Sequence, residues 1–397
     1  MLIRRMLFMI LATSTVVLAP IVAAHAGPWR TQVMRPAAVP RLGPEAQISV
    51  PQYPECQRYR ADVAFNWNHD EHLVVWHQTW DDGTRQVYAR RMSTSGQPVA
   101  APFRVTTMSG NEVHPAVAYN ASNDEYLLVW MYDVSGNGTR YDIRGRIIPW
   151  NCASGGSDVF VIGNWVHPYD MWNPSVAWGA VHNAYLVTWD SYDATTRQPL
   201  RLGSRVVSAD GAPDPSATIT STDSPHYSDL VYNAARDEFL VVWVRSLTNI
   251  YGARLNWDGT VARSDFAIYS ASTTQQYPAV STNEQNRYMV AWEHQYSATD
   301  WDVLGIELNV DGDQVAPFFV IASTGEVEAR PDVAANGATK EWLAVWQRTA
   351  EAGDAIWAAA WKSGAVPGTR VPVAAVTFWN NREWVACMLM RILSASR

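Results

Sequence analysis

Seven residues stand one per repeat, each directly before a short apolar segment: Arg60, His114, Asn173, Tyr227, Tyr277, Arg330 and Val373. The first six carry groups that donate or accept hydrogen bonds, and the aromatic ones can also stack. Gathered around one opening, such groups suit a hydroxyl-rich ligand. The linker GNWVHPYDMWNP (163–174) adds Trp165, His167, Tyr169, Asp170 and Trp172, rings for the CH face of a sugar beside a carboxylate for its hydroxyls. The candidate ligand-binding residues are therefore Arg60, His114, His167, Asp170, Trp172, Tyr227, Tyr277 and Arg330.

Cleaving a glycosidic bond requires two carboxyl groups about 5–10 Å apart. Asp170, Asp190, Asp229 and Glu328 are available, while Asp62, Asp229 and Asp332 stand one or two residues inside their segments, where they would face a channel. Spacing alone selects no pair. The chain has no G-x-S-x-G elbow, H-E-x-x-H site or phosphate loop. No catalytic residue is assigned. No His accompanies a Cys at ligand spacing, and NVDGDQ (309–314) lacks the later bidentate Glu of a calcium loop, so its Asp-Gly reads as a hairpin turn. No metal and no cofactor is expected.

What positions these residues is a repeat. DEYLLVW (124–130) returns as DEHLVVW ending at Trp76, NAYLVTW at Trp189, DEFLVVW at Trp243, NRYMVAW at Trp292 and KEWLAVW at Trp346. The period of roughly fifty residues marks a repeated supersecondary unit. In each unit a segment such as HPAVAYN precedes the Trp segment. A third follows, such as YDIRGRII or NIYGARL, then a Gly turn and a fourth short segment such as PFFVIAS. Four short strands with turn chemistry between them are the pattern of a propeller blade. The Trp segment is a continuous apolar run, as expected of a strand buried on both faces.

The expected fold is an all-β β-propeller over residues 46–393, with repeats near 61–107, 114–164, 173–222, 227–272, 277–324 and 330–372 and a partial one at 373–393. Seven blades are expected, closed by strands from both termini (373–393 and about 46–50), with six as the alternative count. Small residues recur in the third strands: Ala89, Gly145, Gly203, Gly252, Gly305 and Ala358. The Trp residues are expected to pack blades together, with Trp130 beside Gly145.

The chain resembles secreted bacterial β-propellers. Its P-x-V-A-Y-N and Y-L-V-V-W segments lack the W-D dipeptide of WD40 repeats and the paired glycines of kelch repeats. TWDDGTR (79–85) faintly resembles the Asp-box of sialidase-type propellers, but occurs once, in the wrong loop and without its closing aromatic. The resemblance implies a fold and no particular activity.

The opening, MLIRRMLFMILATSTVVLAPIVAAHAG, has two arginines, an apolar run and a small-x-small site at Ala24-His25-Ala26, which reads as a signal peptide over 1–26 followed by a linker to 45. The protein is thus expected to be secreted or periplasmic, without membrane insertion after cleavage. Net charge is −8 and no basic cluster is present, which excludes a nucleic-acid surface. Of the three cysteines, Cys56 and Cys152 could pair. The expected function is an exported, non-catalytic binding module holding a carbohydrate or protein partner at the channel mouth. Alternatives are a glycoside hydrolase or lyase using channel-mouth carboxylates, and a structural propeller of a surface assembly.

Overall fold

A computed structural model describes residues 57–376 except 153–155, 165–168, 284, 337–339, 351–352, 366 and 368–369; at 57–60, 350, 353–354 and 370–376 the backbone alone is described. These residues form a β-propeller of four-stranded blades. The first blade is β1 (Gln57–Asn66), β2 (Glu71–Thr79), β3 (Arg85–Ser93) and β4 (Phe103–Arg104). The second is β5 (Glu112–Asn120), β6 (Glu125–Asp133), β7 (Tyr141–Pro149) and β8 (Phe160–Gly163). The third is β9 (Tyr169–Gly179), β10 (Ala184–Asp193), β11 (Pro199–Ser208) and β12 (Ala217–Thr220). The fourth is β13 (His226–Asn233), β14 (Glu238–Arg245), β15 (Asn249–Asn256) and β16 (Val261–Ser270). The fifth is β17 (Gln275–Thr282), β18 (Arg287–Ser297), β19 (Asp300–Asn309) and β20 (Phe319–Ala322). The sixth is β21 (Val327–Asn336), β22 (Glu341–Ala350), β23 (Gly353–Lys362) and β24 (Arg370–Val376).

Strands follow chain order within each blade. First strands pack in succession, β1 on β5, β5 on β9, β9 on β13, β13 on β17 and β17 on β21. They therefore stand innermost, and fourth strands lie at the rim.

The apolar Trp strand is explained by its two buried faces. Tyr126, Leu128 and Trp130 pack with Leu73 and Val75 of the first blade. Leu127 and Val129 pack with Tyr185, Val187 and Trp189 of the third. Period-two alternation sends successive side chains to opposite neighbours, and both neighbours are apolar. Trp130, Trp189, Trp243 and Trp292 are each at most 1% exposed. They pack blade against blade, as the sequence predicts.

The expected Trp–Gly pairing needs correction. Gly145 lies opposite Val129, while Trp130 lies opposite Arg144. A Cβ at Gly145 would meet Ile162 Cδ1 at 2.6 Å, and one at Gly305 would meet Ile321 Cδ1 at 2.7 Å. These glycines make room for the outer strand of their own blade. Only in the third blade does Gly203 face Trp189, where a Cβ would lie 2.6 Å from indole Cε2.

The described residues make six blades. Val373, expected before a seventh first strand, lies in β24, the outer strand of the sixth blade, and so cannot be a mouth residue. Of the strands expected to complete a seventh blade, 373–393 and about 46–50, residues 373–376 lie in β24, and the rest lie outside the described residues, as do the signal peptide and linker. Cys152 carries a free thiol, pushed up to about 12 by burial; Cys56 is outside the described residues. NVDGDQ forms a hairpin turn closed by the Gly312 N–H on the Asn309 carbonyl at 3.0 Å.

Candidate mouth of the central channel

Every first strand slips register against its partner at its entry end. The irregularities fall between Tyr59 and Asp62, Val113 and Ala116, His226 and Asp229, Gln276 and Ala279, and Ala329 and Asp332, with the matching one in the third blade between Trp172 and Ser175. The residues spanned by each slip are the positions singled out in sequence. Four of the six slips contain a proline, Pro115, Pro174, Pro278 or Pro331, which has no N–H to give to a ladder.

The first residue spanned in five of the slips adopts a left-handed backbone: φ is 52° at His114, 51° at Asn173, 54° at Tyr227, 46° at Tyr277 and 53° at Arg330. A non-glycine residue there costs about 1–2 kcal/mol. Repeated around one opening, it is strain concentrated at a single face, a pattern associated with functional sites.

Side chains of the preceding blade hold three of these bulges. The Tyr227 N–H donates to Asp190 at 2.8 Å, the Arg330 N–H to Glu293 at 2.6 Å, and the His114 N–H to Nδ1 of His77 at 3.4 Å. His77, Asp190 and Glu293 each directly follow the Trp of their strand. Sequence reading did not assign them this role; the signal was a polar residue closing an otherwise apolar run.

The bulges surround a cavity of ≈ 220 Å³, lined among others by His114, Asn173, Tyr227, Tyr277 and Arg330. Three carboxylates from three blades, Asp62, Asp229 and Asp332, line the same cavity. Asp62 accepts the N–H groups of Val63 at 2.7 Å and Val117 at 2.9 Å. Asp229 accepts the Ser175 hydroxyl at 3.0 Å and the Val280 N–H at 2.9 Å, and Asp332 accepts the Val333 N–H at 2.8 Å.

Along the rim, Tyr227 and Tyr277 have ring centroids 4.2 Å apart, and the Arg330 guanidinium carbon lies 3.3 Å from the Tyr277 centroid. His114 Nδ1 lies 3.0 Å from Asn173 Oδ1, and Asn173 Nδ2 donates to Asp190 at 3.0 Å. Asp190 also accepts the Ser228 hydroxyl at 3.0 Å. Burial pushes the Asp190 carboxyl above the usual range, opposed by Asn173, the charge of nearby His226, Tyr227 and Ser228; burial likewise lowers His226 and favours its neutral ring. Hydroxyl, phenol, guanidinium, imidazole and carboxylate thus converge on a small opening, an arrangement able to bind a polyol and to exchange protons with it.

The other sequence candidates lie elsewhere. Asp170 is fully buried between the second and third blades, where it accepts the Tyr141 N–H at 2.6 Å, the Trp172 indole N–H at 2.9 Å and a bond from Arg197. Its carboxylate is taken up in structure, and it does not line the cavity. Trp172 is half-buried against Tyr141 and Tyr192, its ring edge-on to His114 at 6.4 Å, and it does not line the cavity. Glu328 is fully buried two residues before Arg330. Burial, reinforced by the charge of Asp302, pushes its carboxyl up to about 7 against the bonds from Thr324 and the charge of Arg348. His167 lies outside the described residues, and of Arg60 only the backbone is described. Among the described residues, no group of three or more His, Cys, Asp or Glu side chains could hold a metal ion.

The described residues form a β-propeller with a cavity where its first strands converge. No protein-family model matches the chain, and no curated protein is similar to it in sequence. Among solved structures it is similar to the Hadza microbial sialidase Hz136, with a TM-score of 0.51 at 7% identity, over 73% of this chain and 63% of that one. It is also similar to a bat subtype N10 neuraminidase-like protein, with a TM-score of 0.49 at 9% identity over 76% and 93% of the two chains. A third is an α-L-arabinofuranosidase from Lactobacillus brevis, with a TM-score of 0.41 at 12% identity over 66% and 95%. The chain spans less than two thirds of the sialidase's length. The likeness to that sialidase is one of fold.

Proposed function

We propose that the protein is exported and hydrolyses a glycosidic bond at the channel mouth. The observation that carries this reading is the convergence of Asp62, Asp229 and Asp332 on one cavity rimmed by His114, Asn173, Tyr227, Tyr277 and Arg330. Hydrolysis needs one carboxyl to protonate the leaving oxygen and a second to act as nucleophile or to deprotonate water. Hydrogen bonds from Val63, Val117, Ser175, Val280 and Val333 orient the three candidates before any ligand arrives. The small cavity suits one terminal sugar ring. That a propeller of similar fold is named a sialidase is in keeping with this reading.

The test is a panel of nitrophenyl glycosides with the wild type and with Asp62→Asn, Asp229→Asn and Asp332→Asn. Two of the three variants are expected to lose at least about 10³-fold in rate while still unfolding cooperatively, at a stability cost of about 1–3 kcal/mol where an accepting oxygen is replaced. No release from any glycoside by the wild type overturns the hydrolase.

A second reading, binding without turnover, draws support from one observation. Asp62 and Asp229 each have both oxygens engaged, partly by neighbouring blades, which is also what structural carboxylates do. It expects glycan binding that survives each Asp→Asn change and is lost in Tyr227→Ala.

A further inference from the structure

We infer that the run REWVACM (382–388) of the same chain seats between the sixth and first blades, with Val385 and Cys387 against Val74 and Trp76 of β2. Trp384, Ala386 and Met388 then lie toward Leu343 and Val345 of β22. The placement concerns the completion of the ring and does not rest on the glycoside reading above.

A packing rule repeated at five blade boundaries carries it. Let the Trp run of each blade be numbered one to seven, so that Asp124 is one and Trp130 is seven. Alternation along the strand sends positions three, five and seven to the preceding blade and positions four and six to the following one. Leu73 and Val75 of the first blade cluster with Tyr126, Leu128 and Trp130 of the second. Leu127 and Val129 cluster with Tyr185, Val187 and Trp189 of the third. Leu186 clusters with Phe239, Val241 and Trp243 of the fourth. Leu240 and Val242 cluster with Tyr288, Val290 and Trp292 of the fifth, and Met289 and Ala291 with Trp342, Ala344 and Trp346 of the sixth.

Two faces are left over. Val74 and Trp76, positions five and seven of the first run, are 0% and 5% exposed. The described apolar side chains clustered with them, Val63, Met92, Ala61 and Tyr88, all belong to the first blade. Leu343 and Val345, positions four and six of the sixth run, pack within the cluster of the fifth and sixth blades, which is separate from that of Val74 and Trp76. By the rule of the other boundaries, each face calls for one more apolar run, and among the described residues neither has it.

Residues 377–397 follow β24 directly, and 382–388 supply such a run. REWVACM matches KEWLAVW of the sixth blade (340–346) in its leading basic residue, its Glu, its Trp and its central Ala. Positions four and six are Val385 and Cys387. A free cysteine packs as a small apolar side chain, so Cys387 suits the place that Val75, Val129 and Val242 take in other runs. Position seven is Met388, whose unbranched chain can fill the space of an indole. Asn380-Asn381 supply turn chemistry ahead of the run, as Asn123-Asp124 do ahead of β6.

The test uses Cys387 as its reporter. In the full chain carrying Cys56→Ser and Cys152→Ser it is the single thiol, and its alkylation by iodoacetamide is followed by mass spectrometry in buffer and in concentrated urea. A seated Cys387 is expected to react at least about 10²-fold more slowly in buffer. Equal rates would overturn the seat, and this arm needs no packing variant to fold. Trp76→Ala is then expected to speed the reaction in buffer about tenfold or more, with Val74→Ala as a milder truncation of the same face. Trp130→Ala removes the same side chain from the boundary of the first and second blades and is expected to leave Cys387 protected. An equal response to Trp76→Ala and Trp130→Ala would overturn the placement against β2. Protection lost on dilution, with a dimer on size-exclusion chromatography, would give the seat to the run of a second copy and overturn the placement within one chain.

Discussion

The carboxylate of Asp190, the residue after Trp189 on a second strand, accepts the backbone N–H of Tyr227 in the next blade at 2.8 Å. Core and mouth therefore meet at one side chain: the strand that packs blades together also pins the strained bulge facing the cavity. Asp190→Ala strips the acceptor from the Asn173 amide, two backbone N–H groups and a hydroxyl. Leaving a buried donor unpaired costs about 1–3 kcal/mol. The variant is expected to lose about 3 kcal/mol or more in urea unfolding, together with ligand binding; a loss below about 1 kcal/mol would show that the pin contributes little.

Glu328 makes stability depend on pH. Its carboxyl, raised to about 7 by burial from an ordinary value of 4.5, binds a proton in the folded protein where the unfolded chain has released it. The folded state thus holds more protons between pH 4.5 and 7, and its stability falls as pH rises through that window. Glu328→Gln is expected to remove this contribution to the slope and to be more stable than wild type at pH 8 by about 1–3 kcal/mol. Unfolding curves at pH 5, 6, 7 and 8 check it; parallel profiles for the two proteins would contradict the assignment.

Two glycine changes should report differently. Gly203→Ala drives a methyl into the Trp189 indole, whereas Gly145→Ala meets Ile162 and Phe160 and leaves Trp130 aside. Each is expected to cost about 1–3 kcal/mol as overpacking. Only Gly203→Ala is expected to perturb the near-ultraviolet signal of its tryptophan directly, a difference visible by circular dichroism.

Val63, Val74, Trp76 and Met92 form a cluster drawn from the first blade alone, and all four are at most 5% exposed. With 373–376 taken up in β24, we propose that the rest of the expected closing segments, 377–393 and about 46–50, adjoins this face. Deleting 377–397 is then expected to lower the melting temperature and red-shift tryptophan emission as Trp76 meets water. Unchanged emission and melting would count against that closure.

Much of this protein was legible in one dimension because a propeller repeats. Copies of the Trp run revealed the strand buried on both faces, and the polar residue ahead of each first strand marked the bulge, since proline and turn chemistry act locally. His114, Asn173, Tyr227, Tyr277 and Arg330 could be picked out for that reason. Pairings across strands and blades could not. Gly145 faces Ile162 rather than Trp130 because register across a ladder, and not distance along the chain, decides which side chains meet. Asp170 looked like a sugar contact and is instead buried under Tyr141, Trp172 and Arg197. The repeat by itself determined the blade, its core and the ring of candidate residues. Closure of the ring in space alone decided that Asp62, Asp229 and Asp332 would share a cavity, and that Asp190, Asn173 and His114 would meet through hydrogen bonds at the mouth.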